Sequence, residues 1–387
     1  MAEGFLVHCV QRFSERFIYL KIVNFYGFQS LIIETFEYRF LGFKACAISI
    51  FLSMKKISLT GIKPTGTPHL GNYLGAIRPA LELAKDYETI YFIADYHALT
   101  TVHNGDEMRE NIRKVAATWL ACGLDPEKGL FYRQSDIPEI FELSWALSCF
   151  TPKGFMNRAH AYKAKVEANR AAGEDLDTNI NMGLYCYPCL MDADILMFNA
   201  DVVPVGKDQK QHVEFARDIA IRFNKQVGRD VFTVPEPFIQ ETTDVIPGLD
   251  GRKMSKSYDN TIEIFLEPKA LKKKLGKIVT NSLPIEAPKD PDTCNVFRLY
   301  KLFATAEEAA ALAETYRAGG MGWGYAKGEL QKVLERTFGE AREKYNDLMT
   351  HPERIDEILR AGAEKARPVA RAHLEQVREV LGYGRIL

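Results

Sequence analysis

The sequence has almost no net charge: Lys and Arg number 50 against 51 Asp and Glu, for a balance of −1. That balance offers nothing for nucleic acid or an acidic surface to grip overall, and leaves room only for a local basic patch. Cysteine is scarce. Cys9, Cys46, Cys122, Cys149, Cys186, Cys189 and Cys294 are sparse and odd in number. They exclude a disulfide framework and fit reduced thiols in a cytoplasmic protein. No internal repeat and no low-complexity linker is present. The first 53 residues lack Pro, Asp and Trp. Their two apolar-leaning runs, Ile22–Ile33 and Ala45–Met54, are shorter than the ~20 residues a membrane-spanning helix needs.

That opening stretch is rich in Phe and Tyr, with 12 in 53 residues against 11% aromatics in the whole chain. It has no clear basic start or cleavage site of a secretory signal. Glu3, Glu15, Glu34 and Glu37 break the acid-poor pattern of a transit peptide. Met54 then opens MKKISLTGI, which reads like a natural start. Residues 1–53 are either an accessory segment of unknown role or a start placed too far upstream, and the second reading is favoured. No function is drawn from them.

The rest is ordinary globular material. At 387 residues, 47% hydrophobic and 26% charged, the chain is long enough for two domains and a sizeable core. Residues 56–60 read as a strand, His69–Lys85 as a helix, and 89–94 as a strand buried on both faces. Asp106 is expected to cap a helix over Glu107–Cys122, with Gly123 ending it. A strand at 129–133 follows, then helices at about 139–149, 154–170, 183–199 and 207–224, with a strand at 201–205. This alternation predicts an α/β fold, a Rossmann-like doubly wound parallel sheet. From about 262 onward the patterns are almost only helical, including 328–347 and 352–382. The expected division is a catalytic domain at 54–261 and an all-helical domain at 262–387.

The first chemical motif is Thr60-Gly61-Ile62-Lys63-Pro64-Thr65-Gly66-Thr67-Pro68-His69-Leu70-Gly71-Asn72-Tyr73. A glycine-bearing loop running into a helix start favours phosphate, through backbone N–H groups and the helix dipole. Gly71 lets a flat adenine approach the backbone. His69 and Asn72 share one side of the first turn. The spacing is neither GxGxxG nor GxxxxGKS. The second motif is Lys253-Met254-Ser255-Lys256-Ser257, flanked by Gly248 and Gly251. Two lysines on a mobile loop can neutralise charge developing on a leaving pyrophosphate, with Ser255 and Ser257 adding hydroxyls.

Together, PxxHxGN and KMSKS resemble the two signature sequences of class I aminoacyl-tRNA synthetases over Met54–Leu387. The resemblance implies ATP with Mg²⁺, an aminoacyl-adenylate and transfer to the terminal ribose of a tRNA. It assigns ATP to Lys63, Thr65, His69, Gly71, Asn72, Gly206, Lys207, Asp208 and the KMSKS residues. Of those, Lys253, Ser255 and Lys256 are expected to be catalytic and Met254 to line the nucleotide. No protein ligands to a metal are expected.

A third segment, Tyr187-Pro188-Cys189-Leu190-Met191-Asp192-Ala193-Asp194-Ile195-Leu196, precedes Val203-Pro204-Val205-Gly206-Lys207-Asp208-Gln209-Lys210-Gln211-His212. Both are similar to the tryptophanyl-tRNA synthetases. Indole has one N–H donor and no acceptor, which suits an anionic acceptor such as Asp194. Tyr187 can face the same pocket, and Met191 supplies a soft apolar wall. An acceptor does not by itself exclude Tyr, whose hydroxyl also donates, so the tryptophan reading rests on the family pattern. The family adds Gln209 and His97 to the amino-acid site. Where the family has alanine, this chain has Asp192, expected to face solvent or an interface. Cys186 and Cys189 are read as two ordinary buried thiols rather than a metal or redox pair.

Residues 252–277 carry the basic patch that the whole-chain balance hides, including Lys272, Lys273 and Lys274. With Lys163 they are candidate tRNA phosphate contacts. The reading is a tryptophan–tRNA ligase with L-tryptophan, ATP and tRNA(Trp) as partners, no membrane, and a homodimeric state implied by the family. A tyrosine-specific synthetase and a non-charging paralogue remain open alternatives.

Overall fold

The structure is a computed structural model that describes residues 9–13, 16–25, 28–36, 55–206, 209–239 and 246–384. It divides into two compact units, Met1–Lys56 and Ile57–Leu387. In the first, strands β1 (Cys9–Phe13), β2 (Arg16–Phe25) and β3 (Phe28–Phe36) make an antiparallel sheet in that order. The run Ile22–Ile33 is thus divided between β2 and β3, while Ala45–Met54 lies outside the described residues.

The second unit is built on five parallel strands. They are β4 (Ile57–Ile62), β5 (Glu88–Ile93), β6 (Leu130–Arg133), β7 (Val202–Pro204) and β8 (Glu236–Phe238). Their order is β6-β5-β4-β7-β8. The chain builds outward from β4 through β5 to β6, then returns past β4 to add β7 and β8. The direction of winding reverses between β4 and β7, where Ser58 pairs with Val202. In such sheets ligands bind beyond the carboxyl ends of the strands at that point. β5 is buried from Thr89 to Ile93, as its unbroken apolar run requires. β8 carries Pro237 and too little apolar pattern to be visible in the sequence.

The helices differ from expectation in instructive ways. The helix after β4 runs as α1 (Leu70–Asn72), one π-turn (Tyr73–Ile77) and α2 (Arg78–Leu83). Pro79, with no N–H to give, sits just past the π-turn. A short α3 (Asp95–Ala98) follows β5. Helix α4 (Gly105–Ala121) is capped by Asn104 rather than Asp106: its Oδ1 accepts from the Asp106 and Glu107 N–H groups, at 2.9 Å each. Asp106 instead places charge in the first turn, where the helix dipole favours it. Then come α5 (Glu139–Ser148), α6 (Lys153–Met156), α7 (His160–Ala172), α8 (Met182–Met197) and α9 (Lys210–Val227). The expected single helix over 154–170 is therefore two.

The C-terminal part is helical, as expected: α10 (Pro268–Gly276), α11 (Asn295–Tyr300), α12 (Ala306–Ala318), α13 (Trp323–Thr350) and α14 (Pro352–Leu381). One buried cluster joins Leu70, Ile77 and Trp119 to Ile262, Leu271, Leu330 and Phe338. A second joins Leu59 and Phe92 to Ile195, Phe223 and Ala370. Helix α14 lies so close to β6 that a Cβ on Gly362 would run into the Phe131 carbonyl. Only glycine allows that approach. Among the described residues no helix is long and apolar enough to cross a membrane.

Candidate active site

Three of the sequence motifs leave the sheet at its carboxyl edge. The Lys63–His69 loop follows β4, Asp95–His97 follows β5, and Gly206 and Gln209–His212 follow β7. The switch point thus gathers segments that are distant in the chain.

Asp194 lies on α8 and is 1% exposed. Gln134 Nε2 stands 2.8 Å from each of its oxygens, and His97 Nε2 stands 2.8 Å from Oδ2. A carboxylate only accepts, so both nitrogens donate to it. Burial raises the Asp194 pKa, and the bonds from His97 and Gln134 pull it back. Gln134 Oε1 also accepts from the Tyr96 N–H at 3.1 Å, so one fully buried amide locks α3 to α8. Gln134 was missed in the sequence. The available signal was its place, one residue past β6, at the carboxyl edge where parallel sheets present ligand groups. Tyr187 faces the same region: its ring lies edge-on to His97 at 6.2 Å, and its hydroxyl is 3.0 Å from Nε2 of the buried His212. Met191 is half-buried, three residues before Asp194.

The side expected to hold the nucleotide is built by two loops that meet. Leu70 N–H donates to Ile262 C=O at 2.9 Å and Ile264 N–H to Pro68 C=O at 3.3 Å. The segment after KMSKS is thereby bound to the first motif. Lys256 Nζ donates to the Thr65 carbonyl, and Met254 is buried close to Gly71. Asn72 Oδ1 accepts from the His69 N–H at 3.0 Å, closing the first turn. A Cβ on Gly71 would press on the His69 ring at 2.9 Å, so glycine here also makes room for the histidine. The His69 pKa falls to about 4, through burial first and the Lys256 charge second. The ring is neutral at physiological pH. Asn260, buried and also missed, organises the KMSKS loop. Its amide donates to Asp250 at 2.7 Å and to the Lys253 carbonyl at 3.1 Å, and its oxygen accepts from Ser255 N–H at 2.8 Å.

Lys253 is exposed, and Ser255 Oγ accepts from the Ser257 N–H. Gln209 precedes α9 and is exposed, its N–H donating to Gly206 C=O at 2.9 Å. Lys207 and Asp208 lie outside the described residues. Lys272 and Lys273 are exposed on α10, whereas Lys274 pairs with Glu263 at 3.1 Å. Lys163 is on the surface of α7, 3.7 Å from Glu167. Cys189 is buried but Cys186 is exposed, a correction to the reading of two buried thiols. Burial raises both thiol pKa values, which suppresses the thiolate. Among the described residues no group of three or more His, Cys, Asp or Glu is placed to hold a metal.

Asp192 is the clearest correction. It is 1% exposed, and its Oδ1 has no hydrogen-bond partner among the described residues. Two residues before Asp194, it sits about 200° around the helix, on the side of Cys189 and away from the Asp194 face. The surface expectation failed because α8 is a core helix, packed by α5 and by α9. Burial first, and the Asp194 charge second, raise the Asp192 pKa well above the ordinary range. The folded chain therefore holds a proton there that the unfolded chain releases above roughly pH 4. Stability must fall as pH rises from that point toward the folded pKa. Asp192→Ala removes the unpartnered group and is expected to stabilise the protein by about 1–3 kcal/mol at pH 8, with the gain shrinking near pH 4. Denaturant melts at both pH values test this; a variant no more stable than the parent at pH 8 would mean that Asp192 is satisfied.

The family described as tRNA synthetases class I (W and Y) matches residues 54–339, which include both signature loops, Gln134 and Asp194. The chain belongs to this family.

Members of the family with close sequences are named tryptophan–tRNA ligases. That of Neisseria meningitidis is 53% identical over 331 residues, 85% of this chain and 98% of its own. That of Pseudomonas aeruginosa is 53% identical over 328 residues, 84% of this chain and 73% of its own. Among solved structures, the tryptophanyl-tRNA synthetase of Campylobacter jejuni complexed with ADP and tryptophan superposes with a TM-score of 0.77 at 45% identity. It covers 84% of this chain and 99% of its own.

Proposed function

We propose that this class I synthetase is a tryptophan–tRNA ligase. The observation that carries the reading is the 53% identity to a tryptophan–tRNA ligase over 85% of the chain, and the buried Asp194 carboxylate, held by Gln134 and His97 at the switch point, supplies an acceptor that suits it. Gln134 and His97 fill part of its acceptor capacity, and an oxygen lone pair remains for an indole N–H.

In the first reaction the tryptophan carboxylate attacks the ATP α-phosphorus. A carbonyl–phosphate anhydride forms and pyrophosphate leaves. In the second, a hydroxyl of the terminal tRNA ribose attacks the carbonyl carbon, and AMP leaves. Positioning and charge do most of this work. Lys256, already at the mouth of the first loop, suits the pyrophosphate; neutral His69 and Asn72 suit the nucleotide. Magnesium would arrive on the phosphates and neutralise them; the loops offer ammonium, hydroxyl and N–H groups, which fit phosphate oxygens rather than a cation. Residues 262–387, with the exposed Lys272 and Lys273, are the proposed tRNA-binding half.

Tryptophan-dependent ATP–pyrophosphate exchange tests the reading, and exchange that prefers tyrosine would replace it with the tyrosine-specific alternative. A homodimer is part of the same proposal. Its support is the outer face of α5, where Trp145 is 74% and Phe141 49% exposed, two large apolar side chains one turn apart on the same helix face. Sedimentation should show a dimer that Trp145→Glu disrupts; a monomeric parent would refute it.

A further inference from the structure

Thr100, two residues past α3, is half-buried and belongs to neither signature. Its hydroxyl is 2.8 Å from the His97 carbonyl and 2.8 Å from Lys63 Nζ. A hydroxyl has one proton. The ammonium of Lys63 only donates and the carbonyl of His97 only accepts, so both roles are assigned: Lys63 donates to Thr100, and Thr100 donates to His97. The neighbouring Thr101 does not duplicate this, since its hydroxyl donates to the Ala98 carbonyl instead.

The bond closes a longer line. Lys63 stands in the first-motif loop, whose Thr65 carbonyl receives Lys256. His97 donates from its ring to Asp194. Every link from the pyrophosphate lysine to the indole acceptor is thus a hydrogen bond or a short stretch of backbone, and among the described residues the Lys63–Thr100 pair joins the two halves of that line through side chains. Burial lowers the Lys63 pKa, so its ammonium depends on a good acceptor. Phosphate oxygens would offer Lys63 a stronger one, and His97 would feel the change through Thr100.

We propose that Thr100 is a positioning residue that couples nucleotide binding to tryptophan binding. The inference rests on the tryptophan–tRNA ligase reading. Coupling of this kind is reciprocal and typically changes affinity 5–150-fold. The test measures the affinity of a non-hydrolysable ATP analogue with and without saturating tryptophan. Wild type should bind the analogue at least about fivefold more tightly with tryptophan present. Thr100→Val should reduce that factor to below twofold while changing the affinity for tryptophan alone less than threefold. Thr100→Ser, which keeps the hydroxyl, should restore it. Lys63→Met should also abolish the coupling, and adding Thr100→Val to it should remove nothing further. Coupling retained in Thr100→Val, absent from wild type, or lost equally in Thr100→Ser overturns the proposal. If Thr100→Val does not fold, Thr100→Ser with Lys63→Met still decides: coupling retained in Lys63→Met overturns it. Absence of tryptophan-dependent exchange in wild type would instead refute the ligase reading.

Discussion

Lys256→Ala is expected to slow tryptophan-dependent pyrophosphate exchange by about 10²–10³-fold, the usual effect of deleting one preorganised charge-stabilising group. The dissociation constant for tryptophan should change less than twofold. The asymmetry follows from where Lys256 sits. Its Nζ lies on the Thr65 carbonyl, at the lip of the loop that would cradle phosphate, and it is on the opposite side of the site from Asp194 in the chain of contacts. Burial within the loop, and secondarily the charge of Lys114, lower its pKa, so the ammonium is held where an arriving anion would stabilise it. A group that meets charge only as pyrophosphate departs lowers the barrier without strengthening ground-state binding of the amino acid. Exchange kinetics together with equilibrium tryptophan titration check this, and an unaltered exchange rate would remove Lys256 from the mechanism.

Asp194→Ala should abolish discrimination rather than turnover alone. The ratio of exchange rates with tryptophan and phenylalanine is expected to fall by on the order of 10³-fold or more, because sites built to pair a substrate N–H reject analogues lacking it by 10⁴–10⁵. In the parent, a phenylalanine ring would cover a buried carboxylate and give it no donor. In the variant that penalty disappears, and Gln134 Nε2 and His97 Nε2 lose their shared acceptor. Measuring kcat/KM for both amino acids decides the matter; a preserved ratio would place the indole acceptor elsewhere.

Much of the fold and site was legible because it depends on local pattern. The unbroken apolar run of β5, the helical spacing of α4 and the turn chemistry of the first loop are properties of a few consecutive residues. So are the two signature motifs and the placement of Asp194 three residues after Met191 on one helix. They were sufficient to name the sheet type and the class I family, and to single out Asp194 as the proposed indole acceptor. Strand β8 was not legible, since three residues containing a proline leave no periodicity to read.

What remained depended on which segments meet. Gln134 has only its place just past β6 to mark it; it matters because the fold brings that strand end to α8 and turns its amide toward Asp194. Asn260 matters because its side chain spans the loop from Asp250 to Ser255. Asp192 was misread from its rotation around α8 away from Asp194, which cannot tell a surface helix from one enclosed by α5 and α9. Thr100 acquires a role only when Lys63, in a loop from a different strand, comes within 2.8 Å. The sequence alone determined the identity of the chemical groups and the elements that carry them, because short-range spacing specifies both. Only the tertiary structure decided which of those groups are buried and paired, because burial and hydrogen bonding between distant segments depend on long-range packing.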